Sequence, residues 1–177
     1  MLKAVALKRD IFNDKDYYEA VRDILESRII KELEGFKHHY GVTRFQHSLN
    51  VSYYNYLWCK LLRFDKRAAA RAGLLHDLFL YDRKTWDKIE SAHPAEHPRV
   101  AFANASENFS ISEREGDIIL KHMWPVTLAF PKYKESYIIT LADKYCTMLE
   151  LGGFFLGASK RGFAGAFKKF KKTLGFT

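Results

Sequence analysis

The stretch AGLLHDLFLYD, residues 72–82, decides how this chain is read. Ala72 to Leu75 are small or apolar and Leu78 to Leu80 are apolar again, so His76 and Asp77 stand side by side in a segment suited to the interior. An isolated buried carboxylate is very costly, and the pair therefore needs partners. Hydrogen bonds to backbone or to one arginine would supply them. A metal ion also would, because imidazole with carboxylate suits Fe, Mn, Zn, Ni or Co. Upstream, Asp65 is placed to cap a short alanine-rich helix that ends near Asp77.

Helical spacing recurs on both sides of this segment. Asp14 caps a helix carrying Tyr18, Val21, Ile24, Leu25, Ile29 and Leu33, with Gly35 and Gly41 marking its end. Thr43 caps the next, whose apolar face includes Leu49, Tyr53, Tyr56, Leu57 and Leu61. Residues 81–95 show no clean period. A helix from about Pro98 to Phe109 follows, with proline in its first turn. Ser112 and Glu115 form a capping box for a helix reaching about His122. Pro125 and Pro131 bracket a loop, and Lys134 to Glu150 reads as one long helix. Period-two alternation never persists and no Asn-Gly or Asp-Gly hairpin turn occurs. The expected fold is all-α, one domain of about seven helices over residues 1–150, followed by a basic amphipathic extension over 151–177.

Two more polar residues interrupt apolar helix faces. His47 lies in RFQHSLNV, residues 44–51, and Asp143 in ITLADKYCT, residues 139–147. The order His, His-Asp, Asp, each on a different helix, resembles the HD-domain superfamily of metal-dependent phosphohydrolases. The resemblance spans about residues 43–150 and extends to the text around the ligands, AGLLHDL and LADK. It implies an HD-type helical domain and a metal held by His47, His76, Asp77 and Asp143. Two further histidines, His97 in HPRVAFANA and His122 in ILKHMWP, match members of that superfamily with a dinuclear site. By that resemblance a second divalent ion takes Asp77, His97 and His122, with Asp77 bridging. His93, four residues before His97, competes for the same role. His38 and His39 follow a helix end, where a cationic ring favours the negative dipole terminus, and they are read as structural.

Two ions about 3.5–4 Å apart lower the pKa of a bridging water and neutralise a phosphoryl oxygen. In-line attack on phosphorus then needs charge stabilisation more than covalent help. Arg44, one turn before His47, and Lys144, directly after Asp143, are the cations chosen to clamp phosphate, ahead of Arg99 and Lys121. Asp77 is also expected to orient the attacking water. Tyr81, Trp86, Met123 and Trp124 lie near these ligands in sequence and could stack on a nucleobase or serve as pocket wall. The implied reaction is hydrolysis of a phosphate ester or anhydride in a small phosphorylated compound, nucleotides included, by a metal-activated water.

Composition narrows the classes further. The chain has 177 residues, 47% hydrophobic and 28% charged, within the globular range. Cys59 and Cys146 are its two cysteines, too few for a disulfide scaffold, which makes a reducing cytoplasm the default location. No apolar run approaches the ~20 residues needed to span a bilayer, and Lys8, Arg9 and Asp10 interrupt any leader-like segment at once. The net charge is +8, and six of those charges fall after Glu150, where no acidic residue occurs. A basic body built to grip nucleic acid is therefore not indicated. Within the extension, Phe163, Phe167, Phe170 and Leu174 make a helical stripe with Lys168, Lys169, Lys171 and Lys172 mostly off it. Packing on its own domain is favoured over contact with nucleic acid or an anionic membrane. Two other readings stay open: a mixed-valent di-iron oxygenase of HD type using the same ligands, and a non-catalytic protein stabilised by its metal. The sequence does not specify the oligomeric state.

Overall fold

The computed structural model describes residues 13–38, 42–82 and 93–152. Among the described residues there are seven α-helices and no strand, only an isolated antiparallel bridge between Lys37 and Thr43. Helix α1 spans Lys15–Glu26 and α2 spans Arg28–Glu32, followed by a 3₁₀ turn over Leu33–Gly35. Helix α3 spans Arg44–Leu61, α4 Lys66–Leu75, α5 His93–Asn108 and α6 Glu113–Lys121. Helix α7 occupies residues 134–152. The all-α expectation holds.

Local signals fix most of the starts. The Asp14, Thr43 and Asp65 side chains accept from the backbone N–H of Tyr17, Gln46 and Ala68 at 3.0–3.1 Å. Each cap satisfies one of the orphan donors of a helix N-terminus. Both halves of the Ser112–Glu115 box are made. Two boundaries differ from expectation. The apolar stripe of residues 14–33 belongs to two helices, because Ser27 turns extended and its Oγ donates to the Ile24 carbonyl at 2.7 Å, ending α1. Helix α5 begins at His93 rather than at Pro98, so Pro98 lies inside it. As the sixth residue of α5, Pro98 lies past the first turn, and its missing N–H leaves the Pro94 carbonyl without its donor four residues on.

Helix α3 runs through the middle of the fold and is buried almost all round, with Leu49, Val51, Tyr53 and Tyr56 in the core. Leu61, expected on its apolar face, is exposed at its far end. Removing a large apolar side chain from water contributes roughly 1.5–3 kcal/mol, which makes this helix the main anchor of the core. It also carries buried polar side chains that join it to α4: Ser52 Oγ donates to the Ala70 carbonyl at 2.6 Å and Asn55 Nδ2 to the Ala69 carbonyl at 2.9 Å. The two backbones come so close that a methyl group on Gly73 would lie 2.7 Å from Ser52 Cα. This contact sets the distance between the helix that bears His47 and the one that ends at His76.

Arg71 ties α4 to both of its other neighbours. Its Nη1 reaches Asp23 on α1 at 2.6 Å and its Nε reaches Glu115 on α6 at 2.7 Å. Glu135 plays the same part for α7, accepting from the Asp65 N–H at 2.8 Å and from Arg114 Nη1 with both oxygens. Farther along α7, Thr140 Oγ1 donates to the His122 carbonyl at 3.1 Å. The bundle thus brings the middle of α7 against the end of α6 and the start of α3. Of the extension proposed after Glu150, Leu151 and Gly152 continue α7 and the rest lies outside the described residues.

Candidate metal centre

Five elements deliver the six expected ligands to one buried cluster. His47 comes from the first turns of α3, His76 and Asp77 from the end of α4, His97 from α5, His122 from the end of α6 and Asp143 from the middle of α7. His47, His76, Asp77, His97 and His122 are buried, and Asp143 is partly open at 19% of its side chain. Ligand atoms of His47, His76 and Asp143 lie within 4.8 Å of one another, as do those of His76, Asp77 and His122.

The imidazoles are aimed by their outer nitrogens. Nδ1 of His76 donates to the Gly73 carbonyl at 2.9 Å, that of His97 to the His93 carbonyl at 2.8 Å and that of His122 to the Ile119 carbonyl at 2.8 Å. Each acceptor lies three or four residues back on the same helical stretch. A carbonyl only accepts, so the proton sits on Nδ1 and the Nε2 lone pair faces inward. His47 has the same arrangement with a carboxylate: Nδ1 donates to Glu150, 3.0 and 3.2 Å from its two oxygens. Asn50 Nδ2 donates to the same carboxylate at 3.2 Å, and Gln46 Nε2 steadies Asn50 at 3.0 Å. A histidine whose outer N–H is held by a carbonyl or carboxylate is the usual support of a metal ligand.

Nε2 of His97 and Nε2 of His122 stand 2.9 Å apart. With both protons on Nδ1, neither nitrogen has a hydrogen to share, and two lone pairs oppose each other in a buried place. A cation resolves the conflict. Two nitrogens bound at right angles to one ion at ~2.0–2.1 Å stand about 2.9 Å apart, so the separation suits cis ligands. The donor set, nitrogen and carboxylate oxygen without thiolate, fits a divalent ion.

Asp77 lies at the centre. Its Oδ1 faces His97 Nε2 at 3.4 Å and His122 Nε2 at 3.8 Å, and its Oδ2 faces His76 Nε2 at 3.8 Å and His38 Nδ1 at 3.9 Å. Burial penalises its charge, but the surrounding imidazoles, His76 first, hold its pKa well below the usual carboxylate range. The same opposition governs Asp143: burial raises it, and the 3.0 Å contact with His47 Nε2 brings it down. Burial lowers His97, and burial with the nearby His76 and His97 pushes His122 down to about 3. Burial also opposes a charge on His47, yet its hydrogen bonds to Asp143 and Glu150 prevail and push it up to about 10.

The expected cations are placed differently from one another. Arg44 is 2% exposed; its Nη1 donates to the Phe79 carbonyl at 2.6 Å and its Nη2 to the Tyr81 carbonyl at 3.2 Å, with the guanidinium 3.6 Å over the Phe79 ring. It is spent on holding the segment that follows the His76-Asp77 doublet. Lys144 is exposed, its Nζ 3.5 Å from the Thr140 carbonyl. Arg99 is exposed and Lys121 half-buried. Trp124 packs edge-on against Tyr137 of α7, and Trp86 and His39 lie outside the described residues.

Two neighbours, Glu150 and His38, were not assigned to the site from the sequence, and His93 was weighed only as a competitor of His97. Glu150 reads as the last polar residue of a helix and gives no local hint of its reach to His47. His93 is buried one turn before His97, its ring stacked on that of His97 at 4.7 Å. His38, read as a helix-end charge, instead stacks on His47 with ring centroids 3.9 Å apart.

The family model for the HD domain matches residues 44–148, and the chain belongs to that family. The match begins at Arg44, the first residue of α3, and ends two residues before Glu150. No curated protein and no solved structure matched the chain significantly. Among the described residues no helix is long and apolar enough to cross a membrane.

Proposed function

We propose that this chain is a metal-dependent phosphohydrolase that cleaves a phosphate ester or anhydride of a small phosphorylated compound, nucleotides included. Two divalent ions would be held, one by His47, His76, Asp77 and Asp143 and one by Asp77, His97 and His122. The observation that carries this reading is the placement of the Asp77 carboxylate, with one oxygen toward His97 and His122 and the other toward His76. Such ions, when bound, supply a water of lowered pKa and positive charge for the phosphoryl oxygens.

The protein's own part is orientation and charge. The four Nδ1 hydrogen bonds fix the imidazoles before any ligand arrives, so little reorganisation remains at the moment of reaction. Asp143, the most open of the ligands, marks the side from which substrate enters. Lys144, exposed one residue beyond it, is the cation we assign to the incoming phosphate. Arg44 acts as a positioning residue: through the Phe79 and Tyr81 carbonyls it keeps the end of the doublet segment against α3. To Asp77 we also assign the hydrogen bond that orients the attacking water.

The test is metal content of protein purified without chelator, beside His97→Ala and His47→Ala, followed by a panel of phosphate esters and nucleotides with Mn, Fe, Co, Ni and Zn. Two equivalents in the parent, fewer in either variant, and phosphate release that follows metal loading are expected. One equivalent in both parent and His97→Ala would remove the second ion. Consumption of dioxygen by the iron form without phosphate release would overturn the hydrolytic reading.

A further inference from the structure

His38 lies outside the part of the chain that matches the family, six residues before its start. It is nonetheless held against the metal centre by backbone pairing. The His38 N–H donates to the Val42 carbonyl at 2.8 Å, the Arg44 N–H donates to the Phe36 carbonyl at 2.9 Å, and Lys37 bridges Thr43. Residues 36–38 therefore pair with residues 42–44 directly ahead of α3, and this register places His38 over the first turn of that helix. The ring of His38 is stacked on His47, 3.9 Å between centroids and 21° between planes. Nδ1 of His38 lies 3.9 Å from Asp77 Oδ2, and ligand atoms of His38, His47 and Asp77 all fall within 4.8 Å of one another. At 14% side-chain exposure His38 is also more open than His47, His76, His97 or His122.

A nitrogen of each ring and a carboxylate oxygen of Asp77 thus lie close enough together to serve one ion after a small rotation of the more open His38 ring. A six-coordinate ion of the Mn or Fe type leaves positions beyond the four residues His47, His76, Asp77 and Asp143. We infer that His38 is a further ligand of the ion held by His47 and Asp77, supplied by the paired segment ahead of the HD domain. This rests on the two-ion reading above. It makes the metal affinity of this chain depend on a segment that the shared domain does not include.

The test uses Co(II) alone as the probe, with the full chain stripped of metal. Parent, His38→Ala, His38→Cys and His47→Ala are titrated by visible absorption and by competition with a chromophoric chelator. His38→Ala is expected to bind Co(II) at least about tenfold more weakly at one site, with an altered visible spectrum and an unchanged melting temperature of the stripped protein. His38→Cys is expected to gain an intense thiolate-to-cobalt charge-transfer band, which requires residue 38 to touch the ion. This band decides the matter should His38→Ala fold poorly. A parent-like affinity and spectrum in His38→Ala, or no new band in His38→Cys, would overturn the inference while the His47→Ala loss still upholds the metal centre. No Co(II) binding by the parent would instead overturn the reading on which it rests.

Discussion

Glu150 grips His47 across 103 residues of chain, both of its oxygens within 3.2 Å of the imidazole Nδ1. Glu150→Ala should therefore weaken metal binding by about 10–100-fold, the usual effect of losing such a partner. Glu150→Gln keeps an acceptor and should lose less. Chelator competition on the three proteins checks the order, and equal affinities for parent and Glu150→Ala would contradict it.

Metal removal should also lower stability, because the ligands belong to five separate elements that an ion joins. A metal at a hundred times its dissociation constant adds about 2.7 kcal/mol. For a domain of this size that corresponds to roughly 5–10 °C in Tm. Calorimetry with and without chelator reads the shift. A Tm indifferent to chelator would mean that the cluster holds no ion tightly.

Arg71 offers a separation of fold from site. It is buried and bonded to both Asp23 and Glu115, of which only Glu115 is buried as well. Arg71→Leu leaves the Glu115 carboxylate without its cation, a loss that costs about 3–5 kcal/mol for a buried pair. The Asp23 half is solvent-screened and adds little. Urea denaturation should show the loss, with metal stoichiometry unchanged in protein that remains folded.

Gly73→Ala should damage both. The added methyl would meet Ser52 Cα at 2.7 Å, and backbone cannot rotate aside as a side chain does. Overpacking of this kind costs about 1–3 kcal/mol. The Gly73 carbonyl also receives Nδ1 of His76, so a shift of α4 misaims that ring. A lower urea midpoint together with weaker metal binding is the expected pair of outcomes.

Cys59 provides a pH test away from the ligands. Burial, with Glu135 and Asp65 nearby, pushes its thiol up to about 12. Below that value the folded protein keeps it as the unreactive thiol, and burial raises Cys146 in the same direction. Iodoacetamide at pH 8 should label neither until the chain unfolds; rapid labelling of native protein would contradict the packing.

The sequence revealed what is local. Thr43, Asp65 and the Ser112–Glu115 box announce helices within four residues of themselves, and His47, His76 and Asp143 stand out as polar residues among apolar neighbours. The break at Ser27 stayed hidden because the apolar spacing continues through it. The start of α5 stayed hidden because Pro98 is a good first-turn residue and gave a plausible later boundary. His38 and Glu150 are of another kind. Their surroundings in sequence are ordinary, and only backbone pairing ahead of α3 and the approach of a distant helix give them work.

The imidazole hydrogen bonds also imply an order of assembly. His76, His97 and His122 are each aligned by a carbonyl of their own helical stretch, so they are set as soon as that stretch forms. His47 waits for α7, which carries both Asp143 and Glu150. On a ribosome, where chains emerge N-terminus first, the pocket around His47 is completed only after residue 150 has emerged and docked. A nascent chain thereby lacks the complete grip of Asp143 and Glu150 on His47 until the bundle around it is whole.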